Sequence, residues 1–246
     1  MSRSSETPAF GPEQSRLESL AEFAAGAGHE LNNPIATIVG RVQLLLADEA
    51  DPERRKALAT IGGQAYRIRD MIGDLMLFAR PPRPEPKVVD LAELAAEVAV
   101  RPQPADGDEL RRRVEIETNG AVPVWADPTQ LSVVIDELVS NSLEATRDGG
   151  TVTVGAVAVE HDGRRWGRLD VADTGSGLDE TDRQHLFDPF YSGRQAGRGL
   201  GFGLPKCWRI VDGHRGRIDV ETPEGGGVIF RVFWPAEPPG DDDAAG

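Results

Sequence analysis

Arg80-Pro81-Pro82-Arg83-Pro84-Glu85-Pro86 decides how this chain is organised. Four prolines within residues 81–86 cannot continue a helix, because each lacks a backbone donor and fixes φ, and together they favour a stiff extended connector. Residues 81–87 are therefore read as a linker between two different kinds of sequence.

Upstream, apolar side chains recur at alternating spacings of three and four. From Arg55 to Phe78 they fall at Leu58, Ile61, Ala65, Ile68, Ile72 and Leu75. From Arg16 to Leu46 they fall at Leu20, Ala24, Ala27, Leu31, Ile35, Ile38, Val42 and Leu45, with two successive fours around Leu31. These are heptad stripes, the pattern of a helical seam, with a local stutter in the first. The short connection Ala47 to Pro52 predicts antiparallel neighbours over residues 16–80. Two such helices close a core poorly alone, so pairing with a second copy into a four-helix bundle, a homodimer, is expected.

Downstream, over residues 88–235, helix and strand patterns alternate. Asp90 and Asp127-Pro128 are helix starts, the second helix running to about Thr146. Val114–Glu117, Thr151–Val159 and Arg168–Ala172 read as strands, Leu204–Val211 as a helix, and Arg217–Val220 with Val228–Phe233 as a closing hairpin. The fold class is α+β: a helical hairpin followed by an α/β sandwich whose sheet is covered on one face by helices.

Composition bounds the function. A net charge of −14 over 246 residues opposes general nucleic-acid binding, which needs a basic surface. Cys207 is the only cysteine, so no internal disulfide forms and a reducing, cytoplasmic setting is expected. No apolar run approaches the roughly 20 residues of a membrane span, and residues 1–15 are polar without a signal-peptide core. Those residues and the acidic end 236–246 are expected to be disordered.

Three motifs carry chemistry. Ala27-Gly28-His29-Glu30-Leu31-Asn32-Asn33-Pro34 lies on the first helix, with His29 off the apolar stripe. A neutral imidazole has a free nitrogen that can attack phosphorus. Glu30 can hold the other ring proton. Asn33, one turn on, can position a water, and Pro34 bends the helix. Second, Glu137 and Asn141 sit four apart on a helix, so their oxygens share a face suited to Mg²⁺ carrying phosphates. Third, Asp173-Thr174-Gly175-Ser176-Gly177-Leu178 ends a strand, and Gly199-Leu200-Gly201-Phe202-Gly203-Leu204 opens a helix. Asp173 can accept from an adenine amino group, Gly175 and Gly177 let the base approach the backbone, and a glycine turn at a helix N-terminus supplies phosphate donors. The G-x-G-x-G spacing and late position exclude a dinucleotide fingerprint.

In that order, these motifs resemble the catalytic core of a sensor histidine kinase, from about Leu17 to Pro235. The resemblance implies a dimerisation and histidine-phosphotransfer hairpin followed by a GHKL-type ATP-binding domain of the Bergerat fold. It implies ATP and Mg²⁺ as cofactors, His29 as phospho-acceptor with Glu30 and Asn33 as catalytic neighbours, and Asn141 as metal-binding asparagine of the N box. Asp173, Gly175, Gly177, Gly199, Gly201, Gly203 and Leu204 become ATP contacts. Leu186-Phe187-Asp188-Pro189-Phe190-Tyr191 matches the family's F box, which seats a lid where Arg194 and Arg198 can meet phosphates. The implied activity is autophosphorylation of His29 and transfer to an aspartate of a response-regulator receiver domain, with dephosphorylation of that regulator in reserve. Two points depart from the family: Glu137 stands where an amide is common, and Glu144 where a basic residue is common. The alternatives are an ATPase or serine kinase of the same superfamily, which would not need the His29 box, and a degenerate protein that docks a regulator without catalysis. Residues before Arg16 are too few for a sensor domain, so a separate input protein, or a longer product, is expected. His161, His185 and His214 are read as structural, and Cys207 as packed core.

Overall fold

A computed structural model describes residues 13–79, 82–101, 113–146, 149–189, 191 and 201–238, with side chains for all of these except residues 13–29, 78 and 79. The contacts divide the chain into two units meeting at Pro82 and Arg83.

The first unit is an antiparallel pair, α1 (Glu13–Asp48) and α2 (Pro52–Ala79). Helix α1 starts at Glu13, so residues 13–15, expected to be disordered, form its first turn; residues 1–12 lie outside the described residues. It runs through Pro34 without a break in its helical span. The turn between the helices is built by side chains. Asp51 accepts from the Glu53 and Arg54 amides at the start of α2, and the Arg55 guanidinium donates to the Leu46 and Glu49 carbonyls at the end of α1. Within the pair, Ile35, Val42, Ala65 and Ile72 are buried, and a Cβ on Gly62 would lie 3.0 Å from a Val42 methyl. Of the other described stripe positions, Leu58 and Leu75 are half-buried, while Leu31, Ile38, Leu45, Ile61 and Ile68 stay 48, 45, 57, 50 and 47% exposed.

The second unit is a five-stranded sheet of order β2-β4-β5-β7-β6, formed by β2 (Arg113–Thr118), β4 (Thr151–His161), β5 (Arg164–Asp173), β7 (Ile229–Pro235) and β6 (Arg217–Glu221). β2 runs parallel to β4, and the other pairs are antiparallel. Helices α3 (Leu91–Ala99), α4 (Pro128–Ala145) and α6 (Gly203–Gly213) pack on the face that carries Val152, Val154, Leu169, Val171, Phe230, Val232 and Trp234, all buried. The alternation within each strand thus explains the one-sided cover. A short α5 (Glu180–His185) follows β5.

Three elements were not legible in the sequence: α5 and a second, two-stranded sheet of β1 (Lys87–Asp90) and β3 (Pro123–Ala126). β1 begins directly after the last proline of the linker, and each strand of the pair has only four residues, too short for a period-2 signal. This small sheet seats on β5 where Gly167 leaves room, since a Cβ there would come within 2.3 Å of a Val124 methyl.

Caps position the helices. Asp90 ends β1 and caps α3, accepting from Ala92 and also from the Val122 amide. Asp127 caps α4 through Thr129 and Gln130, while its other oxygen accepts from the Glu85 amide. The second half of the expected linker is thereby docked on the sandwich. The C-terminal stretch expected to be disordered from residue 236 is also tied at its start: Ala236 donates to the Arg165 carbonyl, and Arg165 pairs with Glu237. Residues 239–246 lie outside the described residues.

Candidate functional site

Asp173 is the last residue of β5 and only 8% exposed. Its Oδ1 accepts from the Gly175 amide at 2.8 Å and the Val228 amide at 3.3 Å. Burial raises the pKa of its carboxyl above the ordinary carboxylate value, and the two backbone donors work against that rise, as does the neighbouring Ser142 hydroxyl. A buried carboxylate with a second oxygen uncommitted to backbone is a directional acceptor for an amino group. The loop before β7 sets this geometry. Asp173 donates from its amide to the Val228 carbonyl, and Gly227 donates to the Gly175 carbonyl at 2.9 Å. Gly227 has φ +79°, and a Cβ on it would meet the Asp173 carbonyl at 2.0 Å. Gly175 is equally confined, with the Ala145 carbonyl 2.7 Å from a would-be Cβ, and Gly177 takes φ +78° beside Thr222. Asp173, Gly175 and Gly177 are thus brought together as one turn. Gly227 was missed from the sequence, where Gly225-Gly226-Gly227 reads as an ordinary hairpin turn.

A second glycine cluster lies where α6 begins against α4. Gly201 has φ +70°, and a Cβ on it would strike the Tyr191 carbonyl at 2.1 Å, so the chain at Tyr191 and at Gly201 is in direct contact. Gly203 is the first residue of α6, and its missing Cβ faces α4: Glu137 Oε2 would be 2.5 Å away and Asn141 Nδ2 3.4 Å away. Leu204 packs partly buried against the core. Gly201, Gly203, Glu137 and Asn141 therefore converge. Gly199, Arg194, Arg198 and Phe190 lie outside the described residues. The expected sharing of a metal between Glu137 and Asn141 meets a difference. Glu137 Oε1 accepts from the Lys206 ammonium at 2.5 Å. Lys206 had no motif to mark it, and it is buried within the first turns of α6. Among the described residues no group of three or more His, Cys, Asp or Glu side chains assembles.

His29, Glu30 and Asn33 all lie on α1. The His29 side chain is outside the described residues; Glu30 and Asn33 are exposed, and the Thr37 hydroxyl donates to the Asn33 carbonyl. The other histidines have local partners. His185 Nδ1 lies 2.6 Å from Asp188, His161 is 3.3 Å from Asp162, and His214 bonds backbone. The Tyr191 hydroxyl donates to Asp182, fixing the segment after α5. Cys207 is fully buried, and desolvation, with Glu137 adding to it, pushes its thiol well above the usual range.

The comparisons with known proteins follow the same division. Residues 19–84 match the His Kinase A (phospho-acceptor) domain, and residues 126–238 match the histidine kinase-, DNA gyrase B- and HSP90-like ATPase. The chain is 29% identical over 228 residues to sporulation kinase C of Bacillus subtilis, covering 91% of this chain and 50% of that protein. It is similar to the catalytic domain of histidine kinase ThkA, with 30% identity and a TM-score of 0.51 over 63% of this chain and 99% of that one. Full-length ShkA, solved in complex with AMPPNP, shares the fold at 24% identity with a TM-score of 0.75, over 87% of this chain and 46% of that one. The chain spans half or less of the length of the first curated relatives it matches.

Proposed function

The chain belongs to the histidine kinases, with their phospho-acceptor domain followed by their ATPase domain, and from that premise we propose that it autophosphorylates His29 from ATP and passes the phosphoryl group to an aspartate of a response regulator. The observation that carries this reading is the Asp173 turn: a buried carboxylate, held by two amides and crowded by glycines, set against the end of α4, the helix that also meets the N-terminus of α6. Asp173 accepts from the adenine amino group. Gly175 and Gly177 let the base lie on backbone, and the amides of Gly201, Gly203 and Leu204 at the start of α6 meet phosphate oxygens, with Gly199 of the same motif assigned to that role as well. Asn141 would hold the nucleotide's Mg²⁺, which when bound would offset the charge of the phosphates.

The imidazole of His29 attacks the γ-phosphorus, the bond to the bridging oxygen breaks, ADP leaves, and the ring proton is held by Glu30. The regulator's aspartate then takes the phosphoryl group from nitrogen, restoring the neutral imidazole. Asn33 positions a water when the phosphorylated regulator is hydrolysed. The exposed half of the α1–α2 stripe supports a homodimer. None of the described helices is long and apolar enough to cross a membrane. A cytoplasmic setting, with the stimulus delivered by a separate input protein, is part of the same proposal.

The test is direct. Purified chain incubated with γ-labelled ATP should acquire acid-labile, base-stable phosphate, and His29→Ala should abolish it. Labelling of the variant at the normal rate would overturn the assignment.

A further inference from the structure

Where α6 begins against α4 lies an ion pair that the reaction above does not use. Lys206 is 4% exposed, and a buried ammonium is tolerated only when paired. Its partner is Glu137 Oε1, 2.5 Å from Nζ. The other oxygen, Oε2, sits against the glycine turn, 2.5 Å from where a Cβ on Gly203 would be. Both oxygens of Glu137 are therefore turned to α6. One α-helical turn on, Asn141 lies on the same face of α4, its Nδ2 3.4 Å from that same Cβ position.

Mg²⁺ demands near-octahedral oxygens at about 2.1 Å. An oxygen bonded to an ammonium cannot also take that place without bringing two cations together. We infer that Lys206 is a positioning residue that withholds Glu137 from the nucleotide's metal, leaving Asn141 as the metal-facing side chain of α4. The pair also fixes the start of α6 against α4 without adding net charge beside the triphosphate. This rests on the reading of the pocket as an ATP·Mg²⁺ site, and it replaces the joint Glu137–Asn141 ligand set that the four-residue spacing predicts.

The experiment measures Mn²⁺ binding to the full chain by electron paramagnetic resonance of the free ion, with a non-hydrolysable ATP analogue present. Lys206→Met frees the carboxylate to reach the cation, and Mn²⁺ should bind about tenfold more tightly. The double variant Glu137→Gln/Lys206→Met keeps the shape of the pair without its charges, and its Mn²⁺ affinity should stay within about threefold of the parent. A loss beyond about tenfold in the double variant makes Glu137 a ligand and overturns the inference. An unchanged affinity in Lys206→Met overturns it too. Should Lys206→Met fail to fold, the double variant decides alone. Asn141→Ala separates the two levels: if it binds Mn²⁺ like the parent, the ATP·Mg²⁺ reading has failed, whatever Lys206 does.

Discussion

At the scale of single residues, Asp173 sets two demands against each other. Its carboxylate is held where burial disfavours the charge, so it weakens the empty fold while preparing it for a ligand. Because its folded pKa is raised, the unfolded chain loses this proton first as pH increases. Stability therefore falls as pH rises from about 3.8 through the raised folded value, and the deficit is complete above it. Asp173→Asn should leave the nucleotide-free protein as stable as the parent or more so at neutral pH, by thermal melting, with the advantage shrinking in acid. The same change should weaken ATP binding by roughly ten- to a hundredfold, about 1.5–3 kcal/mol, in calorimetry. Unchanged nucleotide affinity excludes the adenine contact. Asn33 permits a different separation. Exposed on α1, it is not required for the imidazole to attack ATP, so Asn33→Ala should keep autophosphorylation and slow the decay of regulator phosphate. Normal decay would remove its water-positioning role. Residues of this kind were legible because their chemistry needs a rigid local pattern: aspartate, then glycines at fixed spacing. Lys206 and Gly227 were not, since each gains its role only from a chain segment far away in sequence.

At the scale of elements, the start of α4 depends on a histidine from the far end of α6. The Asp127 amide can only donate, so His214 Nε2, 3.0 Å away, accepts, and its Nδ1–H donates to the Ile210 carbonyl at 2.8 Å. The ring also meets Trp234 edge-on at 5.1 Å. Burial, ahead of any other influence, lowers the basicity of this imidazole below 6.5. The unfolded chain then binds the proton more readily, so this contribution is present above pH 6.5 and is lost as pH falls through the lowered folded value. Chemical denaturation at pH 7.5 and pH 5.5 should show the parent losing more stability on acidification than His214→Gln does. Equal losses would exclude His214 as the titrating group. Removing the acceptor outright should cost about 1–3 kcal/mol at neutral pH. The sequence showed where α4 begins, through Asp127-Pro128, because a cap is a local device. It did not show the clasp from His214, which joins positions 87 residues apart.

At the scale of the whole molecule, the heptad pattern was half answered by the hairpin itself. Ile35, Val42, Ala65 and Ile72 are satisfied within one copy, whereas Leu31, Ile38, Ile61 and Ile68 are not. Each such side chain contributes roughly 1.5–3 kcal/mol when fully buried, so a second hairpin supplies a substantial driving force. Ile68→Glu should shift the chain from dimer to monomer in sedimentation while leaving ATP binding to the sandwich intact. A variant that remains dimeric would place the interface elsewhere. Periodicity could announce that these positions seek cover, since it is a property of one helix. It could not apportion them between the intrachain seam and a second copy, which is decided by the tilt of α2 on α1.

Among the described residues the sheet of the sandwich ends in two unpaired margins, β2 and β6. An open margin is a template for unwanted growth, in which one copy adds to the next and none closes the series. Both margins are guarded by charge: Arg113, Glu115 and Glu117 along β2, and Arg217, Asp219 and Glu221 along β6, with Arg113–Glu115 and Arg217–Asp219 paired along their own strands. A neighbour arriving there would have to break those pairs and set unmatched charges side by side. Association is thereby directed away from filaments and toward the helices, where a two-fold contact is self-limiting.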